Sequence, residues 1–115
     1  MPDTFKENDF FLKVYQVVEL IPSGKATSYG AIAAYLGASG SSRMVGWAMN
    51  AIKLSDSKIP AHRVVNRNGL LTGKAHFGKG EEMANRLRKE GILIENDQII
   101  NFKQIFWNPT EELKL

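Results

Sequence analysis

Between Ser28 and residue 53 the chain sets two short helical stretches on either side of a glycine-marked break, and few folds accept that spacing. Ser28 is placed to cap a helix over Tyr29–Leu36, because its hydroxyl can take a first-turn N–H that has no partner inside the helix. Ile32 and Leu36 point inward from that helix. Gly37-Ala38-Ser39-Gly40 interrupts it. Ser41 or Ser42 then caps a further helix over about 42–53, with Val45, Ala48, Met49 and Ile52 as its apolar stripe. Helix, short glycine turn, helix is the helix-turn-helix arrangement. The other face of the second member carries Arg43, Gly46, Trp47 and Asn50, at offsets of three, four and seven. An arginine, an indole and an amide side by side, with a glycine permitting close approach, form a candidate nucleic-acid surface. Trp47 has two readings, contact or core, and burial habit favours the core.

The flanks complete the outline. Residues 5–21 place Phe11, Val14, Val18 and Ile21 along one helical stripe, with Phe10 and Val17 beside it, and Pro22-Ser23-Gly24 stops the helix. Val64-Val65 and Leu70-Leu71 around Asn68-Gly69 predict a hairpin. The segment TGKAHFGKG, residues 72–80, reads as a flexible basic loop. Glu81 to Glu90 reads as a helix, with acids in its first turn, Lys89 in its last and Gly91 as the stop. A final hairpin is expected around Asn96-Asp97, with Ile92 and Ile94 against Ile99, though weak alternation leaves its register open. Phe106-Trp107-Asn108-Pro109 is expected to pack the tail onto the rest. The expectation is a mainly α fold with a small β wing, a winged helix-turn-helix forming one domain over residues 1–115.

Charge sharpens the nucleic-acid reading. The net charge is only +3, but between Pro22 and Gly80 eight basic residues, Lys53 and Lys79 among them, face one acid, Asp56. Such segregation points to a polyanion, with chance clustering on a solvated surface as the other reading. The chain has no cysteine, so a disulfide, a thiolate metal site and a thiol nucleophile are all excluded. His62 and His76 lack a flanking carboxylate cluster, so neither a metal nor another cofactor is expected. No apolar run approaches the ~20 residues that span a bilayer, and Met1-Pro2-Asp3 lacks the start of a signal peptide. These features predict a cytoplasmic protein with no membrane partner, associated with the nucleoid when on DNA, and monomeric.

The run SKIPAHRVVNRNGLLTG, residues 57–73, has the look of a reactive centre without its reactive atom. A proline, an imidazole and a guanidinium crowd together, yet the slot between Pro60 and His62 holds Ala61. Placed behind a helix-turn-helix, this run resembles the DNA-binding, active-site domain of the O6-alkylguanine-DNA alkyltransferases. In that family it reads Pro-Cys-His-Arg-Val, and the cysteine takes the alkyl group from guanine and is consumed. The resemblance covers about residues 10–92. It includes TSYG (27–30), SSRMVGWAM (41–49), IPAHRVVNRNG (59–69), LTG (71–73) and EG (90–91).

Position by position, the resemblance implies a set of roles. Arg43 stands for the finger that enters through the minor groove and fills the gap left by an extruded base. Tyr29 stands for the tyrosine that rotates the phosphate beside the target nucleotide, while Gly46, Trp47 and Asn50 complete the DNA-facing helix. Ala61 occupies the acceptor position. His62 matches the histidine that deprotonates the cysteine through water, Glu90 matches the glutamate that orients it, and Arg63 follows in the same motif. Backbone near Val64, with Thr72, Gly73 and Lys74 of the roofing loop, is expected to surround the base.

Three departures matter. A methyl at position 61 has neither lone pair nor ionisable proton, so it accepts no alkyl group at any pH. The family's asparagine before the motif has no clear equivalent in NAIKLSDSKI, and Lys74 stands where a tyrosine is usual. All of these match the alkyltransferase-like proteins, in which the acceptor cysteine is replaced. The implied function is non-enzymatic: to bind and flip O6-alkylguanine in duplex DNA and flag it for nucleotide excision repair proteins, with no catalytic residue. With no thiol to activate, His62 reads as a structural hydrogen-bonding residue, and His76 as an ordinary loop residue. The smaller side chain at 61 should enlarge the pocket slightly. Lys74 either donates to the lesion oxygen or approaches its aromatic face, or else is a solvated loop lysine. Two other readings stay open, an alkyltransferase inactivated by a Cys-to-Ala change and a winged-helix regulator of normal sequence.

Overall fold

Three apolar stripes decide where the first three helices meet. Val14, Val18 and Ile21 from the first segment, Ile32 from the second, and Val45 and Ala48 from the third are almost wholly withdrawn from water. Removing that much apolar surface is the main force holding such a domain together. The computed structural model describes residues 2–52, 58–78 and 80–113. Lys53, Asp56 and Lys79, counted above in the basic middle of the chain, lie outside the described residues.

Helix α1 (Pro2–Val18) is followed by the short strand β1 (Thr27–Ser28), then α2 (Tyr29–Tyr35) and α3 (Ser42–Asn50). Its apolar stripe continues to Ile21, but the helix ends earlier. Leu20 and Ile21 donate to carbonyls only three residues back, the tightened turn that closes many helix ends. The Ser28 hydroxyl accepts the Ala31 N–H at 3.1 Å, the cap expected for α2. Gly37 and Gly40 adopt positive φ in the break, and Ser41 occupies the N-cap of α3 without a side-chain hydrogen bond. Tyr15 of α1 donates its hydroxyl hydrogen to the Ala48 carbonyl of α3 at 2.8 Å, fixing the outer helix to the inner one.

The central hairpin expected around Asn68-Gly69 forms differently. A 3-10 turn, Ala61–Arg63, leads into β2 (Val64–Val65), which pairs in parallel with β1 rather than antiparallel with Leu70-Leu71. The physical reason lies in burial and hydrogen bonding. Val64 and Val65 are both buried, as in parallel strands covered on two faces, whereas a half-exposed hairpin strand alternates. The turn itself is closed by Asn66, whose side-chain oxygen accepts the N–H groups of Asn68 and Leu70 at 2.8 Å each. Leu70 instead bridges to Gln98 in the terminal hairpin.

That terminal hairpin matches expectation and settles the open register. β3 (Ile94–Glu95) and β4 (Gln98–Ile99) are antiparallel, with Ile94 opposite Ile99. Asn96 and Asp97 have φ of 52° and 60°, the left-handed pair that a two-residue turn of this twist requires. Between the sheets lies α4 (Glu82–Lys89), which Gly91 follows at positive φ. Two short helices, α5 (Phe102–Ile105) and α6 (Pro109–Glu112), end the described chain. Trp107 is buried, and its backbone N–H donates to the Ala26 carbonyl at 2.8 Å, so the tail does pack onto the domain. The result is a mainly helical winged helix-turn-helix with two two-stranded sheets among the described residues. No helix among the described residues is long and apolar enough to cross a membrane.

The segment 72–80 departs from the expected flexible loop. Lys74–Phe77 forms a 3-10 turn because Phe77 buries its ring and His76 donates from Nε2 to the Ile52 carbonyl at 2.8 Å.

Ser28→Ala should lower folding stability by about 1 kcal/mol, the usual value of a side-chain N-cap. The check is urea denaturation, which should show a lower midpoint with an unchanged slope.

Candidate nucleic-acid interface

Helix α3 turns its apolar stripe into the core, so Arg43, Gly46, Trp47 and Asn50 are left on the outer side. With Tyr29 and Ser42 they line an open hollow of about 370 Å³. Trp47 is 55% exposed. The core reading for this residue is therefore wrong, because α3 already fills its inner face with Val45, Ala48 and Met49. Arg43 is exposed at the edge of the same hollow.

A second, much smaller hollow of about 10 Å³ lies beside Ala61 and is lined by Val64, Gly73 and His76 among others. Tyr29 and Asn50 line both hollows, so the outer helical surface and the Ala61 site share a wall. Met49, Phe77 and Met83 close over Ala61. Tyr29 fits here because position 73 is a glycine. A Cβ on Gly73 would come within 2.9 Å of the Tyr29 hydroxyl. Burial pushes the Tyr29 hydroxyl above its ordinary pKa, and a hydrogen bond with the Thr72 side chain partly offsets this.

The residues after Ala61 turn the other way. His62 Nε2 lies 2.8 Å from Glu90 Oε2. Arg63 donates from Nε to both Glu90 oxygens, from Nη2 to Oε2 at 2.7 Å, and from Nη1 to the Ile21 carbonyl at 2.7 Å. The Gly24 N–H reaches the same carboxylate at 3.2 Å. Glu90 thus gathers the loop that follows α1, the turn carrying Ala61 and the end of α4. The Glu90–His62 contact is the one the resemblance implied. Arg63, expected among the DNA contacts, has all its guanidinium nitrogens engaged inside the protein and is turned inward.

Protonation follows from these contacts. Burial opposes the Glu90 charge, but hydrogen bonds from Arg63, His62 and Gly24 outweigh it and hold its pKa below the ordinary value. His62 is also lowered, mainly because burial disfavours the imidazolium, against the pull of Glu90. A neutral ring beside a carboxylate must donate from Nε2, which leaves Nδ1 as a bare acceptor. That atom is buried without a hydrogen-bond partner among the described residues.

The remaining candidates divide. Val64 and Gly73 line the Ala61 hollow. Thr72 touches it through Tyr29. Lys74 does not line it, because its ammonium pairs with Asp97 of the β3–β4 turn. His76 is more than an ordinary loop residue, since it both lines the hollow and fixes the 3-10 turn to Ile52. Only its place next to Phe77, a residue the core would claim, could have signalled that in the sequence. Among the described residues no group of three His, Cys, Asp or Glu side chains could hold a metal.

Both pKa shifts carry the same sign for stability. A folded-state pKa below the unfolded one means that protons favour the unfolded chain, so stability is lost as pH falls. Stability should decline first as pH drops below the ordinary histidine value of 6.5, and again below the ordinary glutamate value of 4.5. His62→Gln should remove His62's share of the first decline, measured by denaturation across pH. Glu90→Gln should cost roughly 3 kcal/mol at neutral pH, because it strands the Arg63 charge.

Comparison with known proteins agrees with this geometry. Residues 9–92 match the family described as 6-O-methylguanine DNA methyltransferase, DNA binding domain. The chain is 35% identical over 107 residues to alkyltransferase-like protein 1 of Schizosaccharomyces pombe, covering 89% of this chain and 97% of that protein. It is 32% identical over 103 residues to the DNA base-flipping protein of Escherichia coli, covering 90% of this chain and 78% of the other. It spans about half of a Salmonella typhimurium methylated-DNA–protein-cysteine methyltransferase, 48% of its length, at 42% identity. Its fold superposes on S. pombe Atl1 in complex with damaged DNA containing O6-carboxymethylguanine, with a TM-score of 0.78 over 89% of this chain and 97% of that one at 34% identity. The chain therefore belongs to the 6-O-methylguanine-DNA methyltransferase family, in its alkyltransferase-like branch, with Ala61 where the transferases carry the acceptor cysteine.

Proposed function

We propose that this protein recognises O6-alkylguanine in duplex DNA, holds the extruded base without removing its alkyl group, and marks the site for nucleotide excision repair proteins. One observation carries the reading: Tyr29 and Asn50, which share an exposed face with Arg43, also wall the hollow beside Ala61, a methyl group where the resemblance implies a thiol. Such a site can bind but has no atom to accept an alkyl group. The S. pombe relative in complex with O6-carboxymethylguanine DNA, and the E. coli relative named for base flipping, support extension of damage recognition to this chain.

The energetics are consistent with this. An alkylated guanine pairs poorly, so its extrusion takes less of the few kcal/mol that a normal base requires. Arg43 lowers the remainder by filling the vacated stack with a planar cation. Basic side chains nearby neutralise phosphates and supply affinity that does not depend on the lesion. The protein acts as a monomer in the cytoplasm, on the nucleoid when bound.

Titration of a lesion duplex against its matched undamaged duplex tests the proposal, with the lesion recovered intact afterwards. Arg43→Ala should abolish the preference and leave weak, salt-sensitive binding. Tyr29→Ala should weaken lesion binding by about 2 kcal/mol, the scale of an interface hot spot. Equal affinity for both duplexes, or loss of the alkyl group on incubation, would overturn it.

A further inference from the structure

We infer that Trp47 is a second stacking residue on α3, taking the face of a base next to the one whose place Arg43 fills. The inference rests on the damage-recognition reading and extends it to a residue that the finger alone does not explain.

An indole is seldom left in water without use, because it carries a large apolar surface and a single N–H donor. Trp47 is 55% exposed, while the chain's other tryptophan, Trp107, is 6% exposed. Its neighbours in the hollow are Arg43, Gly46 and Asn50, all from α3, with Tyr29 across from them. Gly46 meets nothing within 4 Å of a Cβ built on it, so the surface beside the indole is open to an incoming group. No ring of the protein stacks on Trp47 among the described aromatic contacts.

Spacing assigns the ligand. Residues four apart on a helix lie on one face, about 6 Å along the axis at the standard rise. One stacking step is about 3.4 Å, and side chains as long as arginine and tryptophan can close the difference by leaning toward each other. A guanidinium from Arg43 in the vacated position therefore leaves the Trp47 indole within reach of the adjacent base. Extrusion partly unstacks that neighbour, so a flat apolar surface is what it lacks. Every base has such a face, so Trp47 adds affinity without reading sequence.

Tryptophan emission tests this directly, because one indole is exposed and the other serves as a buried reference. Saturation of the full chain with a lesion duplex should quench the exposed component. Trp47→Phe should lose that quench yet hold the duplex within about threefold of the original, since phenylalanine still stacks. Trp47→Ala should lose the quench and weaken binding by about tenfold or more, the usual range for a stacked base. Unchanged emission at saturation, or unchanged affinity in the alanine variant, would overturn the inference. Equal wild-type affinity for damaged and undamaged duplex would instead defeat damage recognition, and the quench and the alanine variant would still decide the role of Trp47.

Discussion

The carboxylate of Glu90 is the point on which the site's geometry depends. It sits at the end of α4, yet its hydrogen-bond donors come from Gly24, His62 and Arg63, which the chain brings from far away. A carboxylate with 13% of its side chain exposed is costly to withdraw from water, and only a full set of charged or polar donors offsets that. The same donors fix the turn Ala61–Arg63, and through it the position of Ala61 and Val64. Arg63 adds a link to the Ile21 carbonyl, so the turn that closes the first helix is held to the same point.

This dependence explains why the network persists where the resemblance gave it a chemical task that Ala61 removes. The resemblance implied that the histidine and glutamate serve a thiol. Here the same pair has a mechanical duty that does not involve sulfur. Removing either partner would leave a buried polar group unmatched and release the turn that shapes the pocket wall. Retained catalytic-looking residues are therefore not evidence of retained catalysis.

The sequence revealed most of the helical half, because the inner stripe of α3 and the cap at Ser28 are local signals. It revealed the β3–β4 hairpin for a similar reason, since Asn96-Asp97 states its own turn. The β1–β2 pairing was not legible. Two residues per strand give no periodicity, and a parallel partner nearly forty positions away leaves no trace beside it. Arg63 was misread because an arginine in a basic stretch gives no sign of facing inward until Glu90 and Ile21 are placed next to it. Trp47 shows the opposite error. Burial habit describes tryptophans in general, but on a helix whose inner face is complete the odd indole has nowhere to go except outward.

A binder without a covalent step must draw its selectivity entirely from equilibrium. Phosphate contacts are made equally with damaged and intact duplex, so they raise both affinities and leave the ratio unchanged. Genomic DNA offers a vast excess of intact sites, which turns any surplus of such contacts into competition against the lesion. A net charge of only +3 suits that constraint. On the proposed reading, preference has to arise where the two duplexes differ, in the ease of extrusion and in what fills the space left behind. Each 1.4 kcal/mol of that difference is worth about tenfold. Arg43 and Tyr29, on a hollow that shares its wall with the Ala61 site, are where that difference can be collected, and the modest charge keeps the background from hiding it.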